Sequence, residues 1–163
     1  MITVLLLHLL LAADPVTSVQ PTTVAVPLPG IHDSTSLDYF AAERAAGRVW
    51  IPESTTVAVH VLDLATKQML PVGGFGASRP GPSAVSLVDG WAFVGNRRAA
   101  EVCTVNARLL KKSACASLAA SCDGVAYVAS TKEVWVTSPK DRMLTIVDVH
   151  DPYRLHPERA SSW

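Results

Sequence analysis

Two aspartates stand at matching distances from two tryptophans and could together bind a metal ion. Asp38 precedes Trp50 by 12 residues, and Asp123 precedes Trp135 by the same number. If the two segments fold alike, both carboxylates lie at equivalent places, and Ca²⁺ favours oxygen ligands from several separate loops. The alternative is that each aspartate caps its own turn. The spacing therefore leaves two interpretations open, a calcium site and a pair of turn caps.

The cysteines offer a second kind of chemistry. Cys103, Cys115 and Cys122 lack C-x-x-C spacing, which argues against a zinc or thioredoxin-type site. A hairpin centred on residue 109 would set Cys103 opposite Cys115, and directly opposed residues can have Cα atoms about 4.5 Å apart, within disulfide range. We predict a Cys103–Cys115 disulfide in an exported protein and two small core residues otherwise. Cys122 is left over.

No catalytic motif is found in the sequence. G-x-S-x-G, H-E-x-x-H and P-loop patterns are absent, and the glycines of residues 73–81 fit a loop better than a dinucleotide-binding turn. The formal net charge of zero disfavours nucleic acid as a partner. We therefore expect no catalytic residue, and no cofactor apart from the candidate calcium ion.

The N-terminus resembles a secretory signal. Residues 2–13 are almost continuously apolar and end at Asp14-Pro15. Twelve residues are too few for a stable membrane span, which needs roughly 20, but they suit a signal peptide over residues 1–13. No basic residue precedes the run, and Leu11 stands where a small residue is usual, so a buried first strand or a misassigned start is the alternative. We expect a periplasmic or extracellular protein.

The elements that would position these residues recur along the chain. Segments 50–63, 93–106 and 135–148 each begin with an aromatic and an aliphatic residue, pass through a polar turn, and end in an alternating strand closed by Asp or Asn. Their first residues lie 43 and 42 positions apart. A strand precedes each segment, and another follows the first two. Four antiparallel strands per ~42 residues are typical of a β-propeller blade.

The predicted fold is therefore all-β, a partial β-propeller of about three four-stranded antiparallel blades. The blades are expected at residues 37–75, 82–118 and 123–149, the last without a good fourth strand. Residues 22–29 would form a latch strand, and residues 150–163 an irregular tail. The chain resembles a propeller cut short, and the explanations are a truncated reading frame, a fragment, or a half-propeller that completes itself by self-association through open blade faces.

The segment WVTSPKDRMLTIVDV (residues 135–149) resembles the YVTN-type repeat of bacterial β-propellers, in which an aromatic-V-T-N strand is followed by a turn and a V-I-D-type strand. The resemblance covers residues 37–149, and the first two copies depart from it with WIPE and FVGN. It implies a parent of roughly seven blades and names no ligand.

Two functions are compatible with this resemblance. The first is an exported, non-enzymatic binding or scaffold module with an unknown protein or small-molecule ligand. The alternative is a remnant of a metal- or cofactor-dependent propeller enzyme, similar to lactonases or quinoproteins, that would use Asp38 and Asp123 at the channel mouth.

Overall fold

The computed structural model describes residues 22–31, 34–76 and 79–162 of the 163-residue chain. These residues form three four-stranded sheets, which we call blades 1, 2 and 3, and all neighbouring strands within them are antiparallel. The predicted all-β architecture of three four-stranded antiparallel blades is confirmed. The predicted signal peptide, residues 1–13, lies outside the described residues.

Each blade is a simple meander of consecutive strands. Blade 1 contains β1 (Ala41–Glu43), β2 (Arg48–Glu53), β3 (Ala58–Asp63) and β4 (Met69–Val72). Blade 2 contains β5 (Pro82–Val88), β6 (Trp91–Asn96), β7 (Glu101–Asn106) and β8 (Lys111–Ser117). Blade 3 contains β9 (Gly124–Val128), β10 (Glu133–Ser138), β11 (Met143–Asp151) and β12 (Arg154–Ser162).

The helical segments of the described residues are two single 3₁₀ turns, Arg44–Ala46 and Pro139–Asp141. No helix in this part of the chain has the length and apolarity needed to cross a membrane.

The backbone repeats with the same period as the sequence. Left-handed residues with positive φ recur at the ends of corresponding hairpin turns, 43 and 42 positions apart. They are Gly47, Gly90 and Lys132 in the first hairpin of each blade, and Val57, Ala100 and Arg142 in the second. The match extends to non-glycine residues, for which this conformation is uncommon. The blades are therefore copies of one another in local conformation as well as in sequence pattern.

The acidic and amide residues that close the repeats cap turns. Asp63 Oδ1 accepts hydrogen bonds from the backbone N–H groups of Ala65 (3.0 Å) and Thr66 (2.8 Å). Asn106 Oδ1 accepts from the two corresponding backbone groups in blade 2, and Asp148 Oδ1 accepts from the His150 backbone in blade 3. Short polar side chains stabilise turns in this way.

The core consists of two apolar layers, one between each pair of adjacent blades. Trp50, Val59 and Val61 of blade 1 pack in the first cluster with Val94 and Val105 of blade 2, and all five are fully buried. The second cluster joins blades 2 and 3 in the same manner. It includes Phe93, Val102, Val134, Val136 and Val147. Both faces of blade 2 are therefore covered by neighbours, and its middle strands are apolar on both sides.

The prediction of an irregular tail after residue 149 is wrong. Arg154–Ser162 forms β12, which pairs with β11 as the outer strand of blade 3, with register shifts at Ile146/Val147 and at Asp148/Asp151. Only Leu155 of this strand is buried. An outer strand needs backbone partners on one side but little apolar surface, so its sequence lacks the alternation that marks the inner strands.

The prediction of a latch strand at residues 22–29 is also wrong, since no residue of this segment lies in a strand. Pro27 and Pro29 lack the N–H groups that a strand ladder requires. The inner edge of blade 2 is instead joined by Tyr39, which makes a parallel bridge to Ala84 with hydrogen bonds of 3.3 Å to Ser83 O and from Val85 N.

Candidate functional site

The structure brings Asp38 and Asp123 together and places a guanidinium between them. Arg97 Nη2 donates to Asp38 Oδ2 at 2.9 Å and also to Asp123 Oδ1. Asp38 precedes β1, Asp123 precedes β9, and Arg97 follows β6, so all three blades contribute to this cluster. The predicted gathering of two carboxylates at equivalent positions is present, but their common partner is a cation of the chain itself.

Backbone contacts hold Arg97 in place. Its N–H donates to Gly81 O at 3.2 Å, and its carbonyl accepts from Ser121 Oγ at 3.1 Å. The side chains of the three ionic residues are about a quarter exposed, between 24% and 31%. The arrangement therefore resembles a clamp across the three blades more than an open ligand set. Calcium binding by Asp38 and Asp123 stays a prediction, in which the ion would have to displace Arg97.

A second polar cluster surrounds Glu53 at the end of β2. Its carboxylate is fully buried and accepts hydrogen bonds from Thr35 Oγ1 and from the backbone N–H groups of Thr55 and Thr56. Burial raises the pKa of Glu53, but the hydrogen bonds from Thr35, Thr55 and Thr56 outweigh it and lower the pKa from 4.5 to about 2. The carboxylate is therefore a structural anion that ties residue 35 to the β2–β3 turn.

His60 lies on the same face of blade 1. Its Nε2 is 3.1 Å from Thr56 Oγ1, and its Nδ1 is buried without a partner. Burial lowers the pKa of His60, and the nearby charge of Glu53 opposes this shift. The ring is only 2% exposed, so we interpret it as a core histidine rather than a general base.

The last residue of the second strand is polar and buried in every blade. Glu53 and Asn96 are fully buried, and Ser138 is 1% exposed. Asn96 Nδ2 donates to Phe75 O (3.0 Å) and to Glu101 Oε1 (2.9 Å), whereas Ser138 Oγ has no partner. The side chain at this position therefore forms hydrogen bonds around the second hairpin turn in blades 1 and 2, but Ser138 Oγ forms none in blade 3.

Cys103 and Cys115 lie opposite each other, as the predicted hairpin centred on residue 109 requires. Cys103 and Cys115 are directly opposed on β7 and β8, with Cα atoms 4.0 Å apart, and the structure joins them as a disulfide. Cys122 is free and fully buried, and its burial raises the pKa of the thiol to about 12. Cys122 is therefore an unreactive core residue.

One blade face is apolar and open. We call the exposed side of blade 3 the open face and define it by Ala126, Trp135, Thr137, Leu144 and Ile146, which strand register places on one side of the sheet. Four of these residues line a groove of about 440 Å³ that continues to Tyr39 and Phe40, the two residues before β1. The two aromatic side chains at that end are more than half exposed.

Solved structures share this arrangement of strands at low sequence identity. The hydrazine synthase of Kuenenia stuttgartiensis matches with a TM-score of 0.64 and 15% identity, over 82% of this chain and 38% of that chain. A chain of the mitotic checkpoint complex matches with 0.67 and 12%, over 78% and 40%. The β-propeller domain of Cps50 (Swd1) from Myceliophteria thermophila matches with 0.59 and 13%, over 74% and 38%.

These matches define the fold as a partial β-propeller of three four-stranded blades. The chain spans between 38% and 40% of the length of the three structures. No protein-family model and no curated protein sequence matches the chain.

Sequence reasoning missed two features of the site. Arg97 has no local pattern that marks it as the partner of both aspartates, because its contacts with Asp38 and Asp123 join residues 59 and 26 positions apart. Thr35 carried no signal, because its contact with Glu53 joins residues 18 positions apart in a segment without strand pattern.

Proposed function

We propose that this protein is an exported, non-enzymatic binding module that associates through the open face of blade 3. The partner we propose is a second copy of the same chain. The observation that carries the proposal is the exposure of Trp135, 39%, at a position that is 0% exposed in blade 1 (Trp50) and 1% exposed in blade 2 (Phe93). In the first two blades a neighbouring blade covers this position.

The chemistry of the open face favours a sheet as its partner. Trp50 and Phe93 are covered by valine-rich faces of four-stranded sheets, and the open face repeats their geometry. Two sheets that pack face to face bury alternating side chains of both. The side of blade 1 that faces away from blade 2 is already buried at Ile51 (8% exposed) and His60 (2%). The open face of a second copy is therefore less suited to pack against this side of blade 1 than against another open face. We therefore propose that two open faces pack against each other about a twofold axis.

The charge of the chain is compatible with such a pair. The formal net charge is zero at pH 7, so two copies do not repel each other over long distances. Trp135 Nε1 donates to Glu133 Oε2 at 3.0 Å, which satisfies its polar atom within its own blade. The indole can therefore present its apolar surface to the partner without an unpaired donor.

Sedimentation equilibrium of the full chain tests the proposal, with Trp135→Ala as the variant. Leu109→Ala is the matched control, because Leu109 is a large apolar residue, 69% exposed, in the β7–β8 turn. We expect wild type and Leu109→Ala to dimerise and Trp135→Ala to weaken the dimer about 30-fold or more, since tryptophans are common interface hot spots. A wild-type chain that stays monomeric, or a Trp135→Ala variant that dimerises as tightly as wild type, would contradict the proposed dimer.

Export is the other part of this proposal. It is supported by the apolar run of residues 2–13 and by the resemblance to YVTN-type repeats. If the run is a cleaved signal, mass spectrometry of secreted or periplasmic material gives a chain that begins near Asp14. Retention of the intact N-terminus in the cytosol would contradict export and leave the association proposal unaffected.

A further inference from the structure

Blade 2 carries a cluster of sulfur and oxygen ligands at its outer edge. Cys103 and Cys115 are directly opposed, and Glu101 lies two residues before Cys103, so its side chain is on the same face of β7. One carboxylate oxygen of Glu101 and both sulfurs lie within 4.8 Å of one another. Among the described residues, this is the one group of three such side chains that lie close enough to share an ion.

The cluster is not a general feature of the repeat. The register of each sheet identifies the residues that correspond to Glu101, Cys103 and Cys115 in the other blades. They are Ala58, His60 and Pro71 in blade 1, and Met143, Thr145 and Ala160 in blade 3. The packing of a blade therefore does not require sulfur or carboxylate at these positions.

We propose that reduction of the Cys103–Cys115 disulfide creates a Zn²⁺ site formed by the two thiolates and the Glu101 carboxylate. A dithiol reductant supplies two electrons and two protons, the S–S bond breaks to give two thiols, and the reductant becomes a disulfide. Zn²⁺ then replaces the two thiol protons, which pass to solvent. In the oxidised chain the sulfurs are bonded to each other and carry no charge, so the ion is bound only under reducing conditions.

The ligand types and distances fit zinc. Zn²⁺ binds cysteine sulfur at about 2.3 Å and carboxylate oxygen at about 2.0–2.2 Å in tetrahedral geometry. Ligand atoms around one such ion are roughly 3.4–3.8 Å apart, so the three side chains, already within 4.8 Å, need only small rotations. Thiolates also select Zn²⁺ over Mg²⁺ and Ca²⁺, which prefer oxygen.

The cluster is accessible from solvent. Cys115 is exposed on β8, the outer strand of its blade, Glu101 is half-buried, and Cys103 is fully buried. An ion and a reductant can approach from the side of Cys115, where water can supply the fourth ligand. This is the arrangement of an open, exchangeable zinc site rather than a closed structural one.

Asn96 orients the carboxylate ligand. Its Nδ2 donates to Glu101 Oε1 at 2.9 Å and to Phe75 O at 3.0 Å. The amide is fully buried and therefore fixed, so it holds Glu101 by one oxygen and leaves Oε2 for the ion. Such hydrogen bonds to metal ligands are typical of protein metal sites. The buried polar residue of the β6 repeat thus has a role in blade 2 beyond its turn.

Zinc binding by the untagged full chain in both redox states tests the proposal. Equilibrium dialysis with elemental analysis counts the bound ion, and Co²⁺ substitution gives a sulfur-to-metal absorption band that reports thiolate ligands. We expect one more Zn²⁺ per chain in the reduced than in the oxidised state. Any contribution from histidines is the same in both states and cancels in the difference.

Three variants locate the site. Cys115→Ser abolishes the cobalt band and the redox-dependent zinc, and Glu101→Gln weakens zinc binding by at least the 10–100-fold that is typical of the loss of an outer-shell partner. Cys122→Ala is the matched control and leaves both readouts unchanged. Since Cys115 is exposed, serine is tolerated there, and circular dichroism against reduced wild type verifies the fold.

Three results would overturn the proposal. The first is equal zinc content in both redox states, and the second is a cobalt band that survives in Cys115→Ser. The third is the finding by peptide mapping of free thiols at both positions in oxidised protein.

Discussion

Trp50 in blade 1 and Trp135 in blade 3 occupy the same position of the repeat but differ in their surroundings. Both indoles donate to a glutamate, Trp50 to Glu43 at 2.9 Å and Trp135 to Glu133 at 3.0 Å. Trp50 is fully buried, whereas 39% of Trp135 is exposed. Each indole thus has a carboxylate partner in its own sheet, although Glu43 and Glu133 stand at different positions of the repeat, and the apolar environments of the two rings differ.

The difference shows which contacts belong to a blade and which belong to a pair of blades. In blades 1 and 3 the indole hydrogen bond is made within one sheet and needs no neighbouring blade. The burial of the ring comes from the valines of the next blade, such as Val94 against Trp50. Hydrophobic stabilisation therefore resides mostly between blades, as in other repeat proteins whose neighbours share interfaces.

The largest expected effect is a difference in stability between the two tryptophan variants. Trp50→Ala removes a fully buried ring and should lower the free energy of unfolding by about 3–5 kcal/mol. Trp135→Ala should cost about 1 kcal/mol, since part of its ring is already in water. Urea unfolding of both variants at low protein concentration measures the difference.

If Trp50→Ala does not fold, Trp50→Phe gives a smaller loss in the same direction. Equal losses at the two positions would mean that Trp135 is covered in solution or that the interface of blades 1 and 2 adds little. Either result would contradict the proposed difference between the surroundings of Trp50 and Trp135.

The second prediction compares Glu53 in blade 1 with Ser138 in blade 3. Glu53→Gln leaves buried N–H groups without their charged acceptor and should lower stability at pH 7 by about 2–3 kcal/mol. Ser138→Ala should be close to neutral, because Ser138 Oγ is buried without a partner. Thermal unfolding of the two variants beside wild type measures this contrast.

The pH dependence sharpens the same contrast. The pKa of Glu53 is about 2 in the folded chain, below the ordinary 4.5, so the carboxylate stabilises the fold fully above about pH 4.5. This contribution, on the order of 3 kcal/mol, is lost as the pH falls toward 2. Wild type and Ser138→Ala should lose it between pH 5 and 2 and Glu53→Gln should not. Parallel acid-unfolding curves for all three would count against the proposed role of Glu53.

The smallest expected effect comes from the turns that precede the two tryptophans. Gly47 and Lys132 both have positive φ, 62° and 52°, but only glycine adopts this conformation without steric cost. Lys132→Gly should therefore stabilise blade 3 by about 0.5–1 kcal/mol, and Gly47→Ala should destabilise blade 1 by about 1 kcal/mol. The expected shifts in Tm are about 2–4 °C per kcal/mol, in opposite directions. Shifts of the same sign would show that the two turns are not equivalent.

The sequence predicted those parts of the fold that repeat with a strong local signal. Trp50, Phe93 and Trp135 set the period, and alternating valines marked the middle strands. The same local pattern placed Cys103 opposite Cys115, because a hairpin fixes its own register. These features depend on near neighbours in the chain and can therefore be derived without knowledge of the tertiary contacts.

The features that were missed depend on contacts between distant segments or on backbone hydrogen bonds alone. β12 has one buried residue, so no hydrophobic pattern marks it. Arg97 reaches Asp38 across 59 positions, and Thr35 reaches Glu53 across 18. The two aspartates were predicted to lie at equivalent places, but their common partner Arg97 lies in the β6–β7 turn, which reaches them only through the tertiary fold.

Gly95 gives the three blades a fixed order. It stands two residues after Phe93, and a Cβ atom at this position would lie 2.3 Å from Cys122 Sγ and 2.9 Å from Val125 Cγ2 of the next blade. The corresponding residues are Pro52 in blade 1 and Thr137 in blade 3, and either would collide with blade 3 if placed there. The blades are thus alike in shape but are not interchangeable modules. A duplicated or shuffled copy of blade 1 or blade 3 could not replace blade 2 without a second change at its neighbour.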